Sequence, residues 1–159
     1  MNKNKIIILI LSVLISQTAG VIGAVLNLSS LGIWYNDLDK PFFTPPDWIF
    51  GPVWILLFSL IGVSLYLVLI SDVKREYKKT AISIFFLQWI LNIFWSFMFF
   101  TLRNPFYGFL EISALSISIV VMISIFRKIN KASAYLLIPY LLWVLFAAAL
   151  NFSIWRMNS

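Results

Sequence analysis

Trp34-Tyr35-Asn36-Asp37-Leu38-Asp39-Lys40-Pro41-Phe42-Phe43-Thr44-Pro45-Pro46-Asp47-Trp48-Ile49-Phe50-Gly51-Pro52-Val53-Trp54 is the one long polar interruption in a chain built otherwise of hydrophobic runs. It contains four prolines and three tryptophans, and it leads straight into an apolar run. Proline fixes φ and restricts the residue before it, so Lys40-Pro41 and Thr44-Pro45-Pro46 are expected to be extended and stiff. Two readings fit such a loop. It is a lid over a ligand cavity, or an interfacial segment held at the bilayer surface by its tryptophans.

Composition identifies the solvent of the remaining chain. A soluble domain is roughly half apolar and about a quarter charged, whereas these 159 residues are 62% hydrophobic and 11% charged, with 18% aromatics. Five runs reach the ~20 residues needed to cross a bilayer, at about 6–28, 48–71, 80–102, 105–126 and 134–155. Backbone in hydrocarbon must satisfy its own hydrogen bonds, so runs of this length are helices. The expected fold is an all-α integral membrane protein, a single domain over 1–159. Its five transmembrane helices carry one long Pro/Trp-rich capping loop, 29–47, between helices 1 and 2.

Lys3, Lys5, Lys74, Arg75, Lys78, Lys79, Arg127, Lys128 and Lys131 fall on one side of that topology, against Lys40, Arg103 and Arg156 on the other. The positive-inside rule then sets the amino terminus in the cytoplasm, with the first loop and the carboxyl terminus outside a cell membrane. The basic excess is thus a topology signal, and no nucleic-acid partner is expected. A cleaved signal peptide is the rival reading of Lys3 to Gly20. Against it, the apolar run resumes at Val21, and Ser12, Ser16, Gly20 and Ala24 form a small-residue stripe suited to close helix packing.

The chain has no cysteine and no histidine. Disulfides, thiol chemistry, histidine-dependent triads and the common zinc and haem ligand sets are excluded together. No metal site is expected. What remains is a set of polar and aromatic residues at helical spacing. Gln88, Asn92, Trp95 and Phe99 share a face, as do Phe50, Trp54 and Phe58, and as do Tyr140, Trp143, Ala147 and Leu150 with Asn151 beside them. At about 1.5 Å per residue, Trp54 lies roughly 9 Å below the outer start of its helix, and Asn92 and Trp95 roughly 15 and 10 Å below the outer end of theirs. These groups converge beneath the proline-rich loop. Either they line an apolar cavity with Asn92 and Gln88 as polar handles, closed by Trp34 to Pro46, or they form an aromatic core with amides bonded across helices. Glu111 is the only acid within an expected span. It is either a proton-sensitive or ligand-pairing group, or it pairs with Arg103 or reaches outward.

The motifs Trp34-Tyr35, Lys40-Pro41, Pro45-Pro46, Trp48, Gly51-Pro52 and Trp54 continue as Gln88, Asn92 and Trp95. They close as Pro139-Tyr140-Leu141-Leu142-Trp143, Phe146-Ala147 and Leu150-Asn151-Phe152-Ser153-Ile154-Trp155-Arg156. In that order, across all five helices, they resemble the signature of the translocator protein family, also called the peripheral-type benzodiazepine receptor family. Its bacterial members are tryptophan-rich sensory proteins (TspO/MBR), and the low charge and lysine bias fit a bacterial member. The resemblance implies a five-helix bundle, usually a homodimer, that binds porphyrins, sterol-like lipids and benzodiazepine-site ligands. The site it implies is Tyr35, Pro45, Trp54, Phe58, Asn92, Trp95, Trp143, Ala147 and Leu150. It also implies protoporphyrin as ligand or substrate with no cofactor required, and, for some members, light-dependent porphyrin breakdown at positions corresponding to Trp54 and Trp143. Phe152 stands where the family's weak sterol motif has tyrosine, which counts against sterol recognition. The fourth-helix acid, usually Asp in the family, is Glu111. A receptor-like binding protein is the leading reading and a photo-oxidative enzyme the alternative. A tetrapyrrole or lipid transporter is disfavoured by small size, an odd helix number and the lack of an inverted repeat.

Overall fold

The structure, a computed structural model, describes residues 3–28, 30 and 32–159. Positions 29 and 31 of the expected capping loop lie outside the described residues. In chain order the elements are α1 (Lys3–Asn27), a single turn α2 (Trp34–Asp37), α3 (Asp47–Ile70), α4 (Arg75–Ser96) continuing as a π-helical turn (Phe97–Thr101), α5 (Pro105–Ile129), α6 (Lys131–Leu136) and α7 (Ile138–Met157). Among the described residues five segments are long and apolar enough to span a bilayer: α1, α3, α4 with its π turn, α5, and α6 with α7. The architecture is the five-span all-α bundle expected.

The boundaries differ where hydropathy and helix geometry part company. The fourth element starts at Arg75, five residues before the hydrophobic run, because water satisfies a helix end without any apolar requirement. There Lys78 Nζ donates to Leu69 O at 2.8 Å, setting a cation on the carboxyl end of α3. The fifth span breaks at Leu137, between α6 and α7. Pro139 supplies no N–H and disfavours helical geometry just before it, the ordinary cause of such a kink.

Small residues decide how α1 packs. Its buried positions are Ser12, Ser16, Ala19 and Gly23. The stripe expected at Ser12, Ser16, Gly20 and Ala24 therefore holds for its first half and then drifts by one residue, as a period of 3.6 requires. Across from it, a Cβ built on Gly62 of α3 would stand 2.5 Å from Val13 Cα and 2.9 Å from Ser12 O. The α1 backbone thus rests directly on α3. The main helix contacts run from α3 to α1, from α1 to α4, from α4 to α5 and from α5 to α7, with α6 bridging α5 and α3. Backbone contact between α3 and α7 across the bundle is sparse. That gap, near the end where α1 finishes and α3 begins, is the room the site occupies.

Lys40-Pro41 and Thr44-Pro45-Pro46 lie in neither helix nor turn, and Pro46 has extended dihedrals of φ −57° and ψ 141°, with a turn on either side of Lys40. Trp34–Asp37 forms a helical turn, and Pro41 O accepts from Thr44 N at 3.0 Å and from Thr44 Oγ1 at 2.7 Å, closing a second turn. Tyr35 anchors the first turn. Its ring is buried, 5.6 Å from Phe100 and 6.2 Å from Phe99. The far end of the chain ties the loop down: Asn158 Oδ1 accepts from Asp39 N at 3.0 Å, and Asn158 Nδ2 donates to Asp39 O at 2.9 Å.

Candidate ligand-binding cavity

A cavity of about 540 Å³ lies between α1, α3, α4 with its π turn, and α7, below α2. Its wall is a run of aromatic rings. Trp54 stacks on Phe58 at 5.4 Å and 25°, and its ring lies 6.2 Å from Trp95, which stacks on Phe99 at 6.0 Å and 22°. All four line the cavity. They meet because Trp54 and Phe58 are one turn apart on α3, as Trp95 and Phe99 are on α4 and its π turn. The wider π turn carries both Phe99 and Phe100 into the interior, where they are 3% and 8% exposed.

Buried amides position the wall. Trp95 Nε1–H donates to Asn151 Oδ1 at 2.8 Å, and Asn151 Nδ2 donates to Pro105 O at 3.2 Å, so the indole is pinned between α7 and α5. Asn92 Nδ2 donates to Tyr140 OH at 3.1 Å, and that hydroxyl donates to Gln88 Oε1 at 3.0 Å. Tyr140 and Gln88 lie behind the cavity, and Asn92 forms part of its lining. Gln88, expected as a second handle, instead holds the group that holds Asn92. On the opposite wall Gln17 Nε2 donates to Ile55 O at 2.9 Å and to Ser59 Oγ at 3.0 Å, strapping α1 to α3. Val21 and Ile55 line this flank and are 63% and 62% exposed, so the cavity borders lipid between α1 and α3.

Seven of the nine expected ligand positions come together around this space: Tyr35, Trp54, Phe58, Asn92, Trp95, Ala147 and Leu150. Two do not. Pro45 stays outside the lining. Trp143 lies behind Phe50, with ring centroids 5.9 Å apart, and against Phe146 at 5.5 Å. The buried Nε1 of Trp143 has no hydrogen-bond partner. In the lining Trp54 meets Trp95 at 6.2 Å, and Trp143 is set back behind Phe50.

Sequence reasoning missed the α1 wall and Asp47. Ala19, Gly20, Gly23, Ala24 and Asn27 all line the cavity. Glycine and alanine carry no chemistry to notice, and the only signal was the small-residue stripe. The approach there is tight: a Cβ on Gly20 would lie 2.8 Å from the Phe58 ring, and one on Gly23 2.9 Å from Ser96 Oγ. Among the described residues Asp47 is the only charged side chain in the lining. Burial, with Asp47 adding to it, pushes the Tyr35 phenol up to about 12, so it stays neutral and protonated at physiological pH. Lys40 Nζ sits 4.0 Å from the centre of the same ring, a cation–π contact at the cavity's outer edge.

Glu111 lies elsewhere, in a shallow recess with Met98, Leu102, Tyr107 and Leu110. Both carboxyl oxygens are buried without a hydrogen-bond partner. Among the described residues no group of three His, Cys, Asp or Glu could hold a metal.

Chemically the cavity offers flat π surfaces and a few amides. Comparison with known sequences gives the family. The TspO/MBR family profile matches residues 12–156. The chain is 43% identical over 159 residues to the tryptophan-rich protein TspO of Archaeoglobus fulgidus, covering 100% of both chains. It is 37% identical over 158 residues to the protein of that name from Chlorobaculum tepidum, covering 99% of each. To the human translocator protein it is 32% identical over 127 residues, which is 79% of this chain and 75% of the human one. With the five spans, the aromatic cavity and a match running from α1 to the end of α7, the chain belongs to the TspO/MBR family.

Proposed function

We propose that this multi-pass membrane protein is a receptor-like binder of porphyrin, protoporphyrin IX in particular, or of another flat hydrophobic ligand. The observation that carries the proposal is the continuous aromatic wall Phe58, Trp54, Trp95 and Phe99 along a largely apolar cavity. Flat macrocycles gain dispersion and offset-stacking energy on such rings, and a cavity with few polar groups is the usual form of a small-molecule site. The wall is already assembled, so a ligand need not order it. The cavity's border with lipid between α1 and α3 gives a hydrophobic ligand a route from the bilayer. The lysine and arginine asymmetry supports an amino terminus in the cytoplasm and a cavity in the outer half of the membrane. A homodimer is the proposed assembly.

The test is a titration of the detergent-solubilised protein with protoporphyrin IX in the dark, following tryptophan quenching. Saturable quenching that Trp54→Phe and Trp95→Phe each weaken supports the reading. Linear quenching indifferent to both substitutions means partition into the micelle and refutes it. Light-dependent turnover is the second reading. It is favoured only by two indoles 6.2 Å apart in the lining, and it fails if irradiated porphyrin bleaches identically without protein.

A further inference from the structure

Residues 38–40 run between the turn at Trp34–Asp37 and the turn that Thr44 closes on Pro41. Among the described residues neither turn bonds the N–H or C=O of Asp39. A single side chain satisfies both: Asn158 Oδ1 accepts from Asp39 N at 3.0 Å, and Asn158 Nδ2 donates to Asp39 O at 2.9 Å. A carboxamide carries an acceptor and donors in one plane, so it can pair with both backbone groups of one residue. The same Nδ2 donates to Ile154 O at 2.8 Å on α7. Ile154 and Leu150 line the cavity, as do Tyr35, Phe99 and Phe100. Leu38, next to the clasped residue, packs on the cluster these five side chains form. One amide thus ties the loop to a helix of the cavity wall and seats Leu38 against that wall.

We propose that Asn158 is the latch of a lid: it holds residues 38–40 down so that Leu38 seals this end of the cavity, and its release admits solutes from water. The two attachments of the segment differ in kind. On one side Tyr35 is buried against Phe99 and Phe100, and its N–H donates to Ser30 O at 3.1 Å, which makes a fixed hinge. The latch bonds are exposed. Water competes there for the same groups, so they open and reclose while the buried contacts stay in place. Lys40 adds a second surface contact, with Nζ 4.0 Å from the centre of the Tyr35 ring, when the segment lies down. Beyond it Pro41 limits the chain to a stiff arm. The device governs access to the cavity and holds whichever solute the cavity takes.

The chain has no cysteine, so one introduced thiol reports alone. Ala147→Cys sets it in the cavity lining, and Ala134→Cys in a buried place outside the lining. The full chain in detergent is treated with a charged, water-soluble thiosulfonate. Detergent covers the apolar flank between α1 and α3, so this reagent enters past the loop. Asn158→Ala is expected to speed labelling of the Ala147→Cys thiol about tenfold, because the closed state loses both exposed bonds. Asp39→Pro removes only the N–H and leaves Asn158 on Ile154. Leu38 already has the ψ of 139° that a following proline demands. This variant should speed labelling about threefold, and it decides the matter if the alanine variant does not fold. The Ala134→Cys thiol should keep its rate throughout. Unchanged labelling in both variants, acceleration by Asn158→Ala alone, or an equal rise at the two thiols overturns the latch. The second of these would make Asn158 only a cap of α7, and the third only a general stabiliser of the bundle. No ligand is used, so a failure here is distinct from a failure of the binding reading.

Discussion

Tyr140→Phe removes one oxygen atom that never touches the cavity, yet it should be felt both in stability and in ligand affinity. The hydroxyl accepts from Asn92 and donates to Gln88 at 3.1 and 3.0 Å. The three side chains are 0%, 5% and 1% exposed, in the order Tyr140, Asn92, Gln88, so water does not replace what is lost. Two hydrogen bonds disappear and two amides are left unmatched. Soluble-protein data assign about 1 kcal/mol to each bond and more to an orphaned group, while polar pairs within membranes average about 0.6 kcal/mol. The expected loss is therefore about 2 kcal/mol, hence roughly 4–8 °C in Tm for a chain of this length. Asn92, no longer held, should present its amide to ligand less consistently, weakening porphyrin binding about threefold to tenfold. Thermal unfolding in detergent measures the first quantity and the dark titration the second. A cycle with Asn92→Leu separates direct from relayed effects, because the two substitutions act on one network and their affinity losses should not add. A variant that keeps both Tm and affinity, or a cycle with additive losses, would refute the claim that this network positions Asn92.

Gly62→Ala should destabilise by about 1–3 kcal/mol through overpacking, since its Cβ meets the α1 backbone at 2.5 Å. Gly51→Ala meets nothing within 4 Å, so the same melts should show it neutral or stabilised by up to about 1 kcal/mol. Trp54→Phe and Trp95→Phe are each expected to weaken porphyrin binding by about 1 kcal/mol, with Trp143→Phe distinctly weaker in effect because Phe50 stands between it and the cavity; equal losses at all three would contradict the lining. Asp47→Asn should strengthen binding of a dianionic porphyrin about twofold at low salt and less at high salt, as a Coulomb term of ~0.5 kcal/mol across roughly 8 Å of water-like medium requires. Tyr35 provides the pH prediction. Its folded pKa, about 12, exceeds the unfolded 10.0, so its contribution is fully present below pH 10 and lost as pH rises through 12. The difference in phenolate absorbance between wild type and Tyr35→Phe on alkaline titration should place the ionisation of this group well above 10.0.

The spans were legible because a bilayer imposes a length that hydropathy reports directly. Trp54, Phe58, Asn92 and Trp95 were legible because helical spacing of three and four puts them on common faces. Periodicity, however, gives the side of a helix and not what a neighbour inserts there. Trp143 shares a face with Ala147, yet at its level Phe50 arrives from α3 and takes the cavity surface. Pro45 belongs to a loop, where no period exists to project its position. The helical turn at Trp34–Asp37 was not legible because proline rules act locally, whereas Tyr35 is fixed by the distant rings of Phe99 and Phe100.

The least legible wall is also the one that makes the cavity possible. Gly20, Gly23 and Ala19 show only as an ability to pack closely, and close packing usually means absence of space. Here the approach is uneven. The α1 backbone lies hard against α3 at Gly62, and toward its outer end it faces the large rings of Phe58 and Trp54. Rings that stack on one another at 5.4 to 6.2 Å form a rigid surface that does not collapse onto the small residues opposite. Flexible aliphatic side chains at the same positions would fill the gap, because an apolar void forfeits dispersion contacts on every side. Aromatic stiffness on α3 and α4, set against missing side chains on α1, thus holds open a space that a flat ligand can fill with little reorganisation of the protein.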